Sequence, residues 1–552
     1  MAQLLLPKSI IALRDYSLRK FLGDLVAGVT VGLVALPLAM AFSIASGVPP
    51  QSGIYCAIVA GFLISALGGS MTQIGGPTGA FVVVVADIVQ RHGMDGLFMV
   101  TLMAGVFLML LGLTGLGTAV KYIPRPVVIG FTNGIAVLIA STQLKDFFGL
   151  QIEKVPGDFL ERMRSIAAHW GTLSLDTTLL AASALLLIIL MMRFVKRVPG
   201  AIVALVIGTG VAWALQLPVS TIQSTYGGIP GGLPTLQIPA FRPDLILPLL
   251  SPVLTVTMLG AIESLLSAVV ADRMSGDRHN PNVELVAQGV ANVASPLFGG
   301  LPATGAIART ATNIRAGAKT PVAGMIHSVT LLAILLFATS LAGHIPLCIL
   351  SAILFVVAYN MGEWGEIPEI LKLSKADIAV WLITFALTVL ADLTVAVEAG
   401  MILAALLFIR KVTLTTTVER VTPEYIEEGH IHSLQSVDIP EGAVVFRIHG
   451  PFLFGATDKL ETIIDQIDEL PRVVLLRLRN MTAIDATGLH ALEDLAERLR
   501  ASGRTLVICG MRQQPARLFS QAEFHRHLGD ENIQPSLRDA VQRAREILAV
   551  EG

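Results

Sequence analysis

Apolar residues dominate the chain as far as Phe408, broken only by short polar intervals. From Leu25 to Ala86 there is no Asp, Glu, Lys or Arg, and there is none again from Leu245 to Ile262. Runs of about 20 apolar residues are long enough to cross a hydrocarbon core. The pattern predicts about fourteen apolar segments, centred near Ala35, Ala60, Val83, Leu108, Ala136, Leu186, Val206, Met258, Val290, Ala308, Leu332, Ile353, Ile383 and Ala404. An even number returns the chain to its starting side, and the basic end Ile409 to Val412 agrees with that return.

Two segments are interrupted in the same way. "GGPTGAFVVVVADIV" opens at Gly75 and "GGLPATGAIARTATNI" at Gly299, each after a span that ends in small residues. A second echo links "YIPRPVVIGF" from Tyr122 with "HIPLCILSAI" from His344, and both pairs are offset by about 220 residues. Interrupted segments at matching positions of two halves point to an inverted-repeat transporter, with its site at the broken helices.

Beyond Val412 the pattern changes. Polar residues 413–440 read as a linker after a transmembrane domain at 23–412, which itself follows a short segment, 1–22. Residues 441–552 read as a small soluble α/β domain. Strands are expected at "AVVFRIHG", "RVVLLRLRN" and "RTLVICG", and helices at "ATDKLETIIDQIDEL" and "TGLHALEDLAERLRASG". That alternation predicts a mainly parallel sheet.

Composition narrows the function classes. Hydrophobic residues make up 53% of the chain and charged residues 14%, against about 25% charged in soluble domains. The net charge of −2 gives no footprint for nucleic acid. Cys56, Cys348 and Cys509 are too scattered for a disulfide framework or a metal cluster. No phosphate loop or nucleophile elbow sits in a suitable setting, so no enzyme is expected, and no cofactor. Lys8, Arg14, Arg19 and Lys20 precede the first span, no cleaved signal peptide is read, and the N-terminus is expected in the cytoplasm.

The stretch from Pro302 to Gly317 holds the most chemistry. A helix from near Thr304 to before Gly317 is about 18 Å long, little more than half of the roughly 30 Å hydrocarbon core. Its N-terminus would lie near mid-membrane, where unpaired N–H groups need a cavity or a ligand. An anion would satisfy them. The stretch around Pro77, Thr78 and Gly79 supplies a second such end, so two helix N-termini facing each other make a site for one small anion. Gly305, Ala306 and Ala308 permit close approach, and Thr78 offers a hydroxyl. Arg309 either attracts the anion or pairs structurally with a carboxylate. Glu263 lies mid-span, as a proton carrier, a cation ligand or the partner of Arg309. Ser267, one turn later, could add an oxygen ligand. Arg315 reads as a headgroup contact, Asp272 and Arg273 as a solvated helix end, and Asp392 and Glu398 as a solvent-facing turn. His327 and His344 read as packed or interfacial.

Taken together, "GDLVAGVTVGLVALPLAMAFSIASGVPPQSGIY" (Gly23 to Tyr55), "GGPTGAF", "GAIESLLSAVVADRMSGDRHNPNVELVAQGVAN" (Gly260 to Asn292) and "ATGAIARTATNIRAGAKTP" (Ala303 to Pro321) resemble the sulfate permease (SulP) anion transporters, which end in a STAS domain. The resemblance covers nearly the whole chain. It implies an α-helical polytopic membrane protein of fourteen segments in a seven-plus-seven inverted repeat, split into a moving core and a gate scaffold, with a cytoplasmic STAS domain. It also implies a homodimer and elevator-type transport. The family's anion site carries over to Pro77, Thr78 and Gly79, to Ala306, Ile307, Ala308 and Arg309, and to Leu38 and Phe42 as walls. Where exchange-type members have Gln and Ser, this chain has Leu38 and Ala308, so backbone donors should dominate. Sodium-coupled bicarbonate members have Asp and Thr where this chain has Glu263 and Ser267; Glu resembles proton-coupled members. The motifs lean toward the C4-dicarboxylate carrier subgroup. "NMTAIDATGLHAL" resembles the STAS loop before its first long helix, where Thr487 could replace a phosphorylated serine or the loop could simply cap the helix and meet a protein partner.

The expected function is secondary transport of a small anion (a C4-dicarboxylate, bicarbonate or sulfate) with H+, or else Na+, as coupling ion, in a bacterial inner membrane with both termini cytoplasmic. The alternatives are a nucleobase permease of the same architecture and a STAS-linked membrane sensor.

Overall fold

The computed structural model describes residues 6–118, 124–153, 155–195, 199–236, 242–391, 393–421 and 438–549. Contacts divide the chain into two units, Met1–Ile402 and Leu403–Gly552. The first unit opens with Lys8–Leu13 (α1), Leu18–Ala45 (α2) and Pro50–Leu67 (α3). A two-residue strand, Gly75–Gly76 (β1), leads into Phe81–Leu113 (α4). Arg125–Phe148 (α5), Phe159–Ala168 (α6), Leu175–Phe194 (α7), Gly200–Ala214 (α8) and Ile222–Tyr226 (α9) follow. The second half runs through Ile246–Ser275 (α10), Pro281–Leu297 (α11), the strand Thr304–Gly305 (β2), Ile307–Arg315 (α12), Val322–Phe337 (α13), Thr339–Gly343 (α14), Leu347–Met361 (α15), Ile367–Ile370 (α16), Lys375–Leu390 (α17) and Leu393–Thr415 (α18).

Helix α4 is two helices end to end. Gly93, at φ 69° and ψ −169°, breaks it after His92, in a conformation that a side chain would oppose. With α4 counted as two, each predicted apolar centre lies in a helix of its own. Among the described residues, seven helices are long and apolar enough to cross a membrane. Ser174 caps α7 and Ser374 caps α17 through their hydroxyls, while Gly149 and Gly276 close α5 and α10 in the left-handed conformation.

The helices pack as two groups. Helices α2, α3, α4, α10, α11, α12 and α13 form one, and α5, α7, α8, α15 and α17 the other. Within the first group, α4 and α11 touch backbone to backbone. A Cβ built on Gly105 would lie 2.7 Å from the Gly289 carbonyl oxygen, and one on Gly289 2.6 Å from that of Gly105. In a bilayer, helix association rests on such close packing rather than on the exclusion of water. At one end of this group Asp24 is fully buried. Its carboxylate accepts the N–H groups of Lys319 (2.7 Å) and Thr320 (3.1 Å), the Thr320 hydroxyl (2.5 Å) and the Tyr16 hydroxyl (3.1 Å). The start of α2 is thereby tied to the turn that opens α13.

The second unit is a five-stranded sheet in the order β3–β4–β5–β6–β7: Thr417–Arg420, Ala443–Phe452, Val473–Ile484, Thr505–Cys509 and Ile533–Gln534. The last four are parallel, and β3 pairs antiparallel with β4. Side chains alternate along β4, so Val444, Phe446 and Ile448 enter one core and Val445 the other. Helix Ala486–Ala501 covers the first face with Leu489, Leu492, Leu495 and Leu499. Helix Leu537–Ala549 covers the second with Leu537, Ala540, Val541 and Ala544. Two expectations change here. Strand β3 lies inside the stretch read as linker, because Thr417–Arg420 finds ladder partners from Phe446 to His449; residues 422–437 lie outside the described residues. The helix expected between the first two strands of that reading is instead a chain of short turns, Phe454–Leu460, Glu461–Ile464 and Ile467–Glu469.

Candidate functional site

The two interrupted segments meet. Gly75 pairs with Gly305 and Gly76 with Thr304, antiparallel. Around this pair several buried polar groups hold the backbone in place. Asn292 of α11 receives the Ala303 N–H on Oδ1 and donates from Nδ2 to the Ala303 carbonyl, both at 2.8 Å. Thr304 donates its hydroxyl to the Gly260 carbonyl (2.9 Å). The Ala306 N–H reaches the Ile74 carbonyl (2.8 Å), and the Ile74 N–H reaches the Thr310 hydroxyl (3.0 Å). Because Thr304 and Gly305 are spent on the strand pair, α12 begins at Ile307, three residues later than expected, and its nine residues span only about 14 Å.

Both half-helices therefore start beside the strand pair. The first α12 bond runs from the Thr310 N–H to the Ala306 carbonyl (2.8 Å), so the N–H groups of Ile307, Ala308 and Arg309 precede it. Helix α4 starts with tight turns, Phe81 N–H to Thr78 carbonyl (3.3 Å) and Val82 N–H to Gly79 carbonyl (3.1 Å). Each terminus carries roughly half a positive charge.

A cavity of about 240 Å³ lies at these termini. Leu38 and Phe42 of α2, Thr78 and Gly79, Glu263 of α10, and Gly305 to Arg309 wall it on one side. Thr132 of α5, Val357, Asn360 and Met361 of α15, and Glu363 wall it on the other. The cavity thus sits between the two helix groups. The walls come close at Gly79: a Cβ there would be 3.2 Å from Ile139 Cδ1 and 3.3 Å from Met361 Sδ across the cavity, and 3.4 Å from Phe42 Cε1 on its own side.

Most sequence-chosen residues come together here, and two do not. Leu38, Phe42, Thr78, Gly79, Ala306, Ile307, Ala308, Arg309 and Glu263 all line the cavity. Pro77 does not; its carbonyl accepts a hydrogen bond from Arg309 Nη2. Arg309 shows a wall to the cavity, yet its guanidinium is turned under the β1 turn, with the residue 2% exposed. Its Nη1 has no partner among the described residues. The charge stands behind the helix termini, and no ion pair joins it to Glu263. Thr78 donates its hydroxyl to Glu263 Oε2 at 2.8 Å. Ser267 is fully buried away from the cavity, 3.1 Å from the Thr310 hydroxyl, so it forms no oxygen pair with Glu263 at the cavity wall. A residue four places on is rotated by about 40° around the helix, and α12 fills that direction.

Thr132, Val357, Asn360, Met361 and Glu363 were not expected. All but Glu363, which follows α15, stand on helices apolar on nearly all sides, where periodicity marks no inward face. Gly305, small enough to permit close approach, lines the cavity as well. Of the remaining residues, His327 is fully buried and His344 exposed. Asp272 holds His279 at 2.7 Å. Asp392 and the Glu398 side chain lie outside the described residues. In the second unit Thr487 is exposed on the first turn of its helix, and Asp485 caps that helix by accepting the Gly488 N–H (2.8 Å).

Residues 21–384 match the sulfate permease family, and residues 435–540 match the STAS domain. The chain belongs to the sulfate permease family. YvdB of Bacillus subtilis (strain 168), named for sulfate transport, is 41% identical over 94% of this chain and 97% of its own. The bicarbonate transporter BicA of Synechocystis sp. (strain ATCC 27184 / PCC 6803 / Kazusa) is 33% identical over 95% of this chain and 94% of its own. Among solved structures, the transmembrane domain of a cyanobacterium bicarbonate transporter BicA superposes with a TM-score of 0.63 at 36% identity, covering 70% of this chain and 98% of that one. The structure of SLC26A9 has the same fold, with a TM-score of 0.88 at 17% identity, covering 100% of this chain and 94% of that one. This sulfate permease family member is a multi-pass membrane transporter, not an enzyme, and carries a C-terminal STAS domain.

Proposed function

We propose that this chain is a proton-coupled carrier of one small anion, with sulfate, bicarbonate and C4-dicarboxylates as the candidate substrates. It works in a bacterial inner membrane, as a homodimer with both termini cytoplasmic. The group α2–α4 and α10–α13 moves with the bound anion against the group containing α5, α7, α15 and α17. The position of the cavity between the groups supports that division of labour. The anion rests on the N–H groups that open α4 and α12, with the buried Arg309 charge behind them.

One observation carries the coupling: the hydrogen bond from Thr78 to Glu263. While Glu263 is a carboxylate, Thr78 spends its proton on it and turns lone pairs toward the cavity. Once Glu263 is protonated, the carboxyl group itself donates to the Thr78 oxygen, and the Thr78 proton is free for the anion. Proton and anion then promote each other's binding, and the linkage is reciprocal. Sodium is less well served, because Ser267 is bonded elsewhere.

The test is uptake into proteoliposomes of fumarate, sulfate and bicarbonate, offered separately, with and without an inward proton gradient. Accumulation of one anion only with the gradient supports the reading. Glu263→Gln should abolish accumulation yet leave binding, and Thr78→Val should weaken the dependence on the gradient. Accumulation that follows Na+ instead overturns proton coupling. Binding without flux overturns the carrier reading in favour of a membrane sensor.

A further inference from the structure

Glu363 lies two residues beyond α15, with φ 44° and ψ 38°. Only Asn, Asp and Gly enter this left-handed region easily, and a Glu held there is under backbone strain. It is exposed on the cavity rim, on the wall opposite Glu263. Its backbone carbonyl accepts the Glu366 N–H (2.9 Å), but among the described residues its carboxylate accepts no hydrogen bond and makes no ion pair. Arg125 of α5, its basic neighbour, is paired with Glu366. The cavity thus meets an incoming anion with two carboxylates, one on each wall. Glu263 is bonded by the Thr78 hydroxyl, while the Glu363 carboxylate carries no hydrogen bond and has Glu366 and Arg125 as its charged neighbours.

We infer that Glu363 is a specificity-determining residue, a fixed negative charge on the rim that biases the carrier toward monoanions and against dianions. This rests on the anion-carrier reading above. Repulsion grows in proportion to substrate charge, so a dianion is penalised twice as much in free energy as a monoanion. Across about 10 Å at an effective dielectric near 40, one unit charge opposite another changes affinity about fourfold, and two change it about fifteenfold. Helix termini and Arg309 attract a dianion more than a monoanion by the same proportion, but they are unchanged when Glu363 alone is replaced, so a change in the ratio reports Glu363.

The experiment compares sulfate with bicarbonate, by initial uptake rates in proteoliposomes and by equilibrium binding to the same full-length preparations in detergent. Glu363→Gln keeps the shape and removes the charge. Glu363→Gly removes the carboxylate and suits the left-handed backbone, so it remains informative if the Gln variant folds poorly. Both variants should raise the sulfate-to-bicarbonate ratio of kcat/KM, and of binding constants, about fourfold, and the gain should shrink as ionic strength rises. An unchanged ratio in both variants overturns the proposal, because a merely structural turn would shift the two substrates alike. Should the wild-type chain move neither anion, the carrier reading fails by itself, and the binding ratio still decides the role of Glu363.

Discussion

Gly305→Ala should damage the site through one identifiable collision. A Cβ at Gly305 would lie 1.9 Å from Gln73 Nε2 and 3.1 Å from Ser264 Cα. The first atom ends a side chain and can leave; the second is helix backbone and cannot. Gln73 Nε2 donates to the Ser264 carbonyl (3.2 Å) and hydroxyl (3.3 Å), and both bonds are lost when the amide is displaced. At about 0.5–1.5 kcal/mol each, with a further 1–3 kcal/mol or so for overpacking, the loss should total about 2–6 kcal/mol. Thermal unfolding in detergent reads the stability, and sulfate and bicarbonate uptake reads the alignment of α4 and α12. Gln73→Ala should then rescue: combined with Gly305→Ala it opens the space the methyl needs, giving a favourable coupling energy of about 1–2 kcal/mol. A Gly305→Ala protein with wild-type unfolding and uptake, or a double mutant no better than the sum of its parts, refutes the reasoning.

Asp24→Ala strands four donors that converge on one buried carboxylate, and at about 1.5–3 kcal/mol for a charge-assisted bond the unfolding transition should fall by at least about 3 kcal/mol; a loss below about 1 kcal/mol contradicts the network. In the STAS domain, burial pushes the Cys509 thiol up to about 12, with Arg477 acting in the opposite direction. Its folded pKa lies above its unfolded one, so this contribution to stability is complete below about 9 and is lost as pH rises toward 12. Mass spectrometry after thiol alkylation at pH 8 should find Cys509 unmodified in the folded chain and modified in urea; ready labelling of the folded chain contradicts the burial.

The sequence was most legible where composition alone decides. Long apolar runs located the helices, and the Gly-rich openings at Gly75 and Gly299 located the place where two helices start inside the protein. What chain order cannot convey is which strands and walls meet. The pairing of Gly75 with Gly305 moved the start of α12 from Thr304 to Ile307. The guanidinium of Arg309 was legible as a buried charge, but its turn toward the Pro77 carbonyl depends on the β1 geometry. Ser267 matched Glu263 by helical spacing and was captured by Thr310 from another element. The far wall, from Thr132 to Glu363, arrives from helices with no polar stripe to betray their inward side.

The strand pair also sets a schedule for biosynthesis. Gly75 must wait for Gly305, about 230 residues later, which at about 5–20 residues per second is roughly 12–45 s of translation. Throughout that interval the strand β1 that leads into α4 lacks the partner that completes its backbone bonds. A ribosome stalled between the two halves would leave a chain whose early helices have entered the bilayer but whose substrate seat does not yet exist. Quality control acting on such a chain would have a specific feature to read: an unpaired strand at the entry to α4.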